Sequence, residues 1–232
     1  VATVKDLPET LQWVKFSGIS WAKDGSGFYY SRYDAPTETG KLTQVNENQK
    51  LWFHKLGTSQ SEDTLVYARP DHPRWRTDGT ITDDGRFLIL TLSEGTDTRN
   101  RVYYRDLTVP GSPVVELLNE FDADYTLVGN DGPILWFRTD LDAPRSRLIA
   151  IDTRRPERSA WKELIPQTED TLTGLSVVGD RFVGSYLHDA HTVVRIHRLD
   201  GTFEREMTLP GLGTASGFGG RRSERETFYS FT

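Results

Sequence analysis

Several groups of residues in this 232-residue chain have types that could support chemistry. The pentad "HDAHT" holds His188, Asp189 and His191, with His197 further on. Zinc takes His and carboxylate ligands, but two histidines three apart share a face only on a helix. The surrounding text reads as strand, turn, strand, so these side chains are not expected to converge, and no third ligand stands nearby. Glu62 and Asp63, in "HKLGTSQSEDTLVY", are adjacent carboxylates that would suit acid–base work if both faced one atom. Successive residues of an extended chain point to opposite faces. The insert "GTSQSED" is therefore read as a joint, with Gly57, Ser59 and Asp63 as turn formers. There is no cysteine, hence no disulfide and no thiolate nucleophile. His54 and His197 fall in apolar runs and read as packing or surface residues. "RRSER" at 221–225 reads as a solvated basic turn. Arg99 and Arg101, near Glu94 and Asp97, read as local ion pairs at a sheet edge.

The elements that must carry these residues repeat. Asp-Gly stands at Asp24-Gly25, Asp84-Gly85 and Asp131-Gly132, and Asp180 follows in "VVGDRF", at steps of 60, 47 and 49 residues. Each point precedes an aromatic or β-branched run: "FYYSRY", "RFLILTL", "ILWFRT", "RFVGSYL". Asp-Gly between such runs signals a tight hairpin. A third, alternating run follows ("QKLWFHKL", "NRVYYRDL", "SRLIAIDT", "TVVRIHRL"), then a shorter fourth ("DTLVYA", "PVVELL", "AWKELI", "TFEREMTL"). Four strands per 40- to 60-residue unit are the pattern of a β-propeller blade. The expected fold is all-β: residues 1–16 a connection from a preceding blade, blades at 17–74, 75–122, 123–170 and 171–211, and half a blade at 212–232. "LPETLQWVKF" reads as an inter-blade connection.

Composition bounds the partners. Hydrophobic residues make up 36% of the chain, enough with its glycines for an ordinary globular core. A net charge of −6 speaks against a nucleic-acid surface. No apolar stretch is long enough to cross a bilayer, and "VATVKDLPET" lacks the order of a signal peptide. A soluble protein is expected, cytoplasmic or periplasmic, with no nucleic-acid or membrane partner.

"QKLWFHKLGTSQSEDTLVYARPDHPRW" resembles the propeller of the prolyl oligopeptidase family. So do "LPETLQWVKFSGISWAKDGSGFYYSRY", "TDDGRFLILTLSEGTDTRNRVYYRDL", "SYLHDAHTVVRIHRLDG" and the final "TFYSFT", in order along the chain. The resemblance implies a seven-bladed propeller, of which this chain holds about four and a half blades. It implies an α/β-hydrolase domain in the same polypeptide, carrying a Ser-Asp-His triad and cleaving short peptides after proline. The nucleophile of such a domain sits in G-x-S-x-G. This chain has no such motif; around Ser216, "GTASGFG" has the wrong spacing. No catalytic residue, metal or cofactor is therefore expected here, and the isolated chain is expected to be inactive.

The resemblance further implies that the propeller excludes folded proteins, admits short proline-containing peptides, and lines outer substrate subsites. Carried over by motif, the subsite residues are Phe16 in "VKFS", Arg76 after "PRW" and Thr96 in "SEGTDTRNR". Arg76 and Thr96 depart from the apolar or thiol residues associated with those places, and Ser93 stands where some relatives carry a basic residue. A more polar subsite is expected. Core packing remains the alternative for Phe16, and a solvated blade rim for the other two. A free-standing propeller that binds peptide or protein without catalysis is the second function class.

Overall fold

A computed structural model describes residues 9–36 and 45–232. The chain folds as two compact units, with the boundary between Phe121 and Asp122.

In the first unit, β1 (Ile19–Trp21), β2 (Gly27–Arg32), β3 (Lys50–Lys55) and β4 (Thr64–Ala68) form one antiparallel sheet in chain order. A second sheet follows in the same manner with β5 (Trp75–Ile81), β6 (Phe87–Glu94), β7 (Arg101–Asp106) and β8 (Val115–Leu118). The second unit repeats the plan twice. β9 (Tyr125–Asp131), β10 (Ile134–Thr139), β11 (Arg147–Asp152) and β12 (Lys162–Ile165) make one sheet. β13 (Thr171–Val178), β14 (Arg181–His188), β15 (His191–Arg198) and β16 (Phe203–Met207) make the next. A two-stranded ladder of β17 (Ala215–Ser216) and β18 (Ser230–Phe231) ends the chain. Such four-stranded meanders in succession are the building unit of a propeller. Residues 9–18 run without strand or helix, and two short 3₁₀ turns, Gln60–Glu62 and Arg158–Ala160, lie in connections.

The hairpins form where the turn residues dictate. At Asp84-Gly85 the aspartate Oδ1 accepts from the Thr82 hydroxyl at 2.7 Å and the Arg86 amide at 3.0 Å, and Gly85 takes a φ of 76°. The side chain mimics a backbone turn acceptor while glycine supplies the left-handed residue at no steric cost. The Gly179-Asp180 turn has both residues left-handed, at φ 55° and 57°.

Successive strand residues point to opposite faces, and in the inner strands both faces are buried: Phe87, Leu88, Ile89 and Leu90 of β6 are all 1% exposed or less. In the first unit Leu51, Trp75, Leu88, Leu90, Leu92 and Tyr103 form a buried cluster, with Tyr29, Val66 and Ile81 packed on it. Gly79 on β5 permits this close approach: a Cβ there would lie 2.8 Å from Leu51 Cδ1. In the second unit Trp136, Leu148, Ile165, Val177 and Phe182 form one cluster, and Val178, Val183, Val194, Ala215 and Phe218 another. Among the described residues no helix is long and apolar enough to cross a membrane.

Candidate functional site

Phe16 is 65% exposed and belongs to no buried cluster among the described residues. It sits in the irregular stretch before β1, at a φ of 53°. That left-handed conformation is costly for a residue with a Cβ and persists only when neighbours fix it. Here the fixing group is Gln49, 3% exposed at the start of β3. Its Nε2 donates to the Lys15 carbonyl at 2.9 Å and the Phe16 carbonyl at 3.2 Å, and its Oε1 accepts from the Thr77 amide at 2.9 Å. The same stretch is tied to the end of β2. Ser31 N donates to Ser17 Oγ at 2.7 Å, and Tyr33 N donates to the Trp13 carbonyl at 3.2 Å.

Arg76 reaches the same place from β5. It pairs with Ser93 across the β5–β6 hairpin, next to the point where β6 runs into the turn at 95–100. Its Nη2 donates to the Gly95 carbonyl at 2.6 Å, and its guanidinium lies 5.4 Å from the centre of the Phe16 ring. Tyr33, just after β2, is buried; burial pushes its hydroxyl pKa up, and the Arg76 charge partly offsets that. Thr96 is exposed in the turn beside Gly95. Phe16 and Arg76 are thus in contact, while Thr96 joins them only through the turn that Arg76 grips. Sequence reasoning does not single out Gln49. A glutamine at a strand start carries no distinguishing pattern, and its role exists only because two remote backbones meet there.

The insert 57–63 supports the same stretch from the other side. The Gln60 side-chain amide pairs reciprocally with the Gln12 backbone, at 3.0 and 3.1 Å, and Gly57 N donates to Glu9 Oε1 at 2.6 Å. Glu62 turns back to the Ser59 amide and hydroxyl, both at 2.9 Å. The Asp63 side chain turns inward and is fully buried. The two carboxylates diverge, but at the end of a 3₁₀ turn and not on the extended chain expected there. Asp63 is more than the turn former expected of it. Its carboxylate takes the Tyr30 hydroxyl and faces His54 Nδ1 at 2.7 Å, with Arg32 at 3.9 Å. Burial first, and the Asp63 bond second, push the Tyr30 hydroxyl far above its usual range.

The remaining candidates are placed as follows. His188 Nδ1 meets Asp170 at 2.6 Å, Arg195 also pairs with Asp170, and His191 contacts His188 edge to face at 5.3 Å. Among the described residues no group of three His, Asp or Glu is arranged to hold a metal. His54 and His197 are both buried; His197 Nδ1 lies 3.1 Å from the Gly201 carbonyl. Ser216 is exposed within the β17–β18 ladder, opposite Ser230. Arg99 pairs with Asp97 at 2.7 Å as expected. Among the described residues Arg101 does not form the ion pair expected of it: its guanidinium stacks on Trp75 and Phe121, at 4.4 and 4.6 Å. Nor is "RRSER" simply a solvated tip. Arg222 bridges Asp131 at 3.0 Å and Asp180 at 2.8 Å, the two hairpin ends of β9–β10 and β13–β14.

The chain is 38% identical over 230 residues to a prolyl endopeptidase of Elizabethkingia meningoseptica, covering 99% of this chain and 32% of that protein. It is 37% identical over 183 residues to prolyl oligopeptidase A of Amanita bisporigera, covering 74% of this chain and 23% of that protein. Among solved structures, one from a study of two prolyl endopeptidases and their inter-domain dynamics superposes with a TM-score of 0.86 at 34% identity, covering 97% of this chain and 32% of that one. Apo prolyl oligopeptidase B of Galerina marginata superposes with a TM-score of 0.88 at 27% identity, covering 97% and 31%. The chain spans about a third of the length of the curated relatives it matches. The family model for the prolyl oligopeptidase N-terminal β-propeller domain matches residues 1–232, and the chain belongs to that family.

Proposed function

We propose that this propeller domain serves a proline-specific serine endopeptidase acting on short peptides. In this reading it controls access to an α/β-hydrolase domain of the same polypeptide and walls part of the substrate site with Phe16, Arg76 and Thr96. Blades bounded at 17–74, 75–122, 123–170 and 171–211 are the repeating units of this reading. The role is steric and positional, since the sequence of this chain holds no nucleophile motif.

One observation carries the substrate-wall reading. An exposed aromatic ring is held at a left-handed backbone position by a buried glutamine and set against an arginine. Packing does not require Phe16 to stand out of the surface, and strain maintained by surrounding hydrogen bonds is a mark of functional positions.

The test uses the full-length enzyme. Phe16→Ala is expected to raise KM on a proline-containing peptide of several residues while leaving kcat near its starting value, because an apolar wall acts on ground and transition states alike. Unchanged KM and kcat, with a lowered unfolding midpoint, would assign Phe16 a purely structural role. The 232-residue chain by itself is expected to show no turnover of a chromogenic proline peptide. Turnover blocked by a serine-directed phosphonate, in a preparation free of host peptidase, would overturn that expectation.

A further inference from the structure

We propose that Arg76 makes this patch a reader of negative charge, so that the enzyme favours peptides with an acidic side chain a few residues before the proline. The inference rests on the reading of the Phe16 patch as a substrate wall, and adds the chemistry that the wall selects.

Arg76 shares with Arg101 the lack of a carboxylate partner among the described residues, but Arg101 is covered by Trp75 and Phe121 and held by Asn119, whereas Arg76 stands beside the exposed Phe16 ring. Arg69, Arg74, Arg86 and Arg99 of the same unit each pair with a carboxylate: Asp71, Glu94, Asp106 and Asp97 respectively. Arg76 pairs with none among the described residues; its contacts are the Gly95 carbonyl and the Phe16 ring. The carboxylates nearest in sequence and across the hairpin are engaged elsewhere. Glu94 takes Arg74 and the Trp75 indole, Asp97 takes Arg99, Asp78 accepts from the Gly18 amide at 3.3 Å, and Asp34 takes Lys50. Arg76 is partly buried as a residue, and its guanidinium is gripped at one nitrogen and flanked by an aromatic face. A planar fork fixed in this way loses little freedom when its remaining donors meet a carboxylate.

A glutamate side chain fits both halves of the patch. Its methylenes would lie on Phe16 and its carboxylate would meet the free edge of Arg76. The Phe16 ring beside the guanidinium excludes water from one side of it, so the pair is worth more than one fully in water. The background works the other way: this domain carries a net charge of −6, which repels acidic peptides. A preference for acid therefore has to come from a local cation.

The experiment compares fluorogenic peptides in the full-length enzyme, with Glu or Gln placed one to four residues before the proline. Its readout is the Glu/Gln ratio of kcat/KM within each enzyme, which cancels any general loss of activity. At one position the ratio is expected to reach about 5 at low salt and to fall toward one in high salt, as expected for a partly exposed ion pair. Arg76→Met is expected to bring the ratio to about one or below, and Arg76→Glu to invert it and favour a Lys peptide at the same position. A ratio near one at every position in the parent enzyme, or a ratio that Arg76→Glu leaves unchanged, overturns the proposal. Phe16→Ala, read on the Gln peptides, separates the two levels. If it raises KM while the charge preference is absent, only the acidic preference falls. If it changes KM for no peptide, the substrate-wall reading falls with it.

Discussion

Gln49 and Phe16 are joined by a hydrogen bond of 3.2 Å between a buried amide and the carbonyl of an exposed, left-handed residue. Because the same glutamine also takes the Thr77 amide, it ties the stretch before β1 to β5, which carries Arg76. Replacing it with the apolar Gln49→Leu would leave two carbonyls and an amide without their partner. The cost is expected to be about 1–3 kcal/mol of stability. It should also raise KM on peptides that reach Phe16, with kcat less affected. A stability loss with no change in KM would show that the stretch keeps its place without Gln49.

Asp63 is a buried carboxylate held by Tyr30, His54 and, more distantly, Arg32. Asp63→Ala removes the shared acceptor of that group and strands its partners. Leaving the buried Tyr30 hydroxyl and the His54 ring nitrogen without their acceptor costs about 1–3 kcal/mol for each unsatisfied group. The loss should show first in the clasp around Gln60 and Gln12. Hydrogen exchange at the Gln12 amide is the direct readout, and protection equal to wild type would disconnect Asp63 from the clasp. Asp63→Asn keeps the shape and is expected to cost less.

What is legible in the sequence, and what is not, follows from the range of the interactions. Hairpins at Asp24-Gly25, Asp84-Gly85 and Asp131-Gly132 are set by local turn chemistry and flanking alternation, and the strands appear where those patterns place them. Glu62 and Asp63 diverge as expected, but at the end of the 3₁₀ turn Gln60–Glu62 and not on an extended strand. The inward use of Asp63 is not legible, because Tyr30 lies 33 residues away and nothing local announces the pairing. Arg101 and Arg222 show the same limit. Each stands near residues of opposite charge in sequence, yet Arg101 stacks on Trp75 and Phe121, and Arg222 bridges Asp131 and Asp180 from a distant segment. Phe16 is reached through resemblance alone; its exposure and its contact with Arg76 come from the fold.

The β14–β15 turn is made by Asp189 and Ala190, both left-handed, at φ 41° and 65°. A tight turn of this hand favours Asn-Gly or Asp-Gly, and alanine has no side chain to compensate the strain. Ala190→Gly is therefore expected to stabilise the fold by about 0.5 kcal/mol, after the larger chain entropy of glycine in the unfolded state is set against the relief. A lower unfolding midpoint in the glycine variant would show that the turn is held by its context and not strained.

His188, beside that turn, answers to pH through Asp170. The Asp170 hydrogen bond, with its charge, raises the imidazole pKa above its usual 6.5. The His188 bond, opposed by burial and aided by Arg195, lowers the Asp170 carboxyl below its usual 3.8. A raised histidine contributes stability that is fully present below its unfolded pKa and is lost as pH rises through the folded one. A lowered aspartate contributes stability that is present above its unfolded pKa and is lost as pH falls through the folded one. The pair is thus at full strength between 3.8 and 6.5, and fades above the raised His188 pKa and below the lowered Asp170 pKa. His188→Gln should lower the unfolding midpoint of the full-length protein most within that window and little at pH 9. At high pH the neutral imidazole can still donate Nδ1–H to Asp170, so the residual difference there measures that neutral hydrogen bond and the packing of the ring, without the charge. A difference between wild type and variant that is constant from pH 5 to 9 would mean that the charge on His188 contributes nothing.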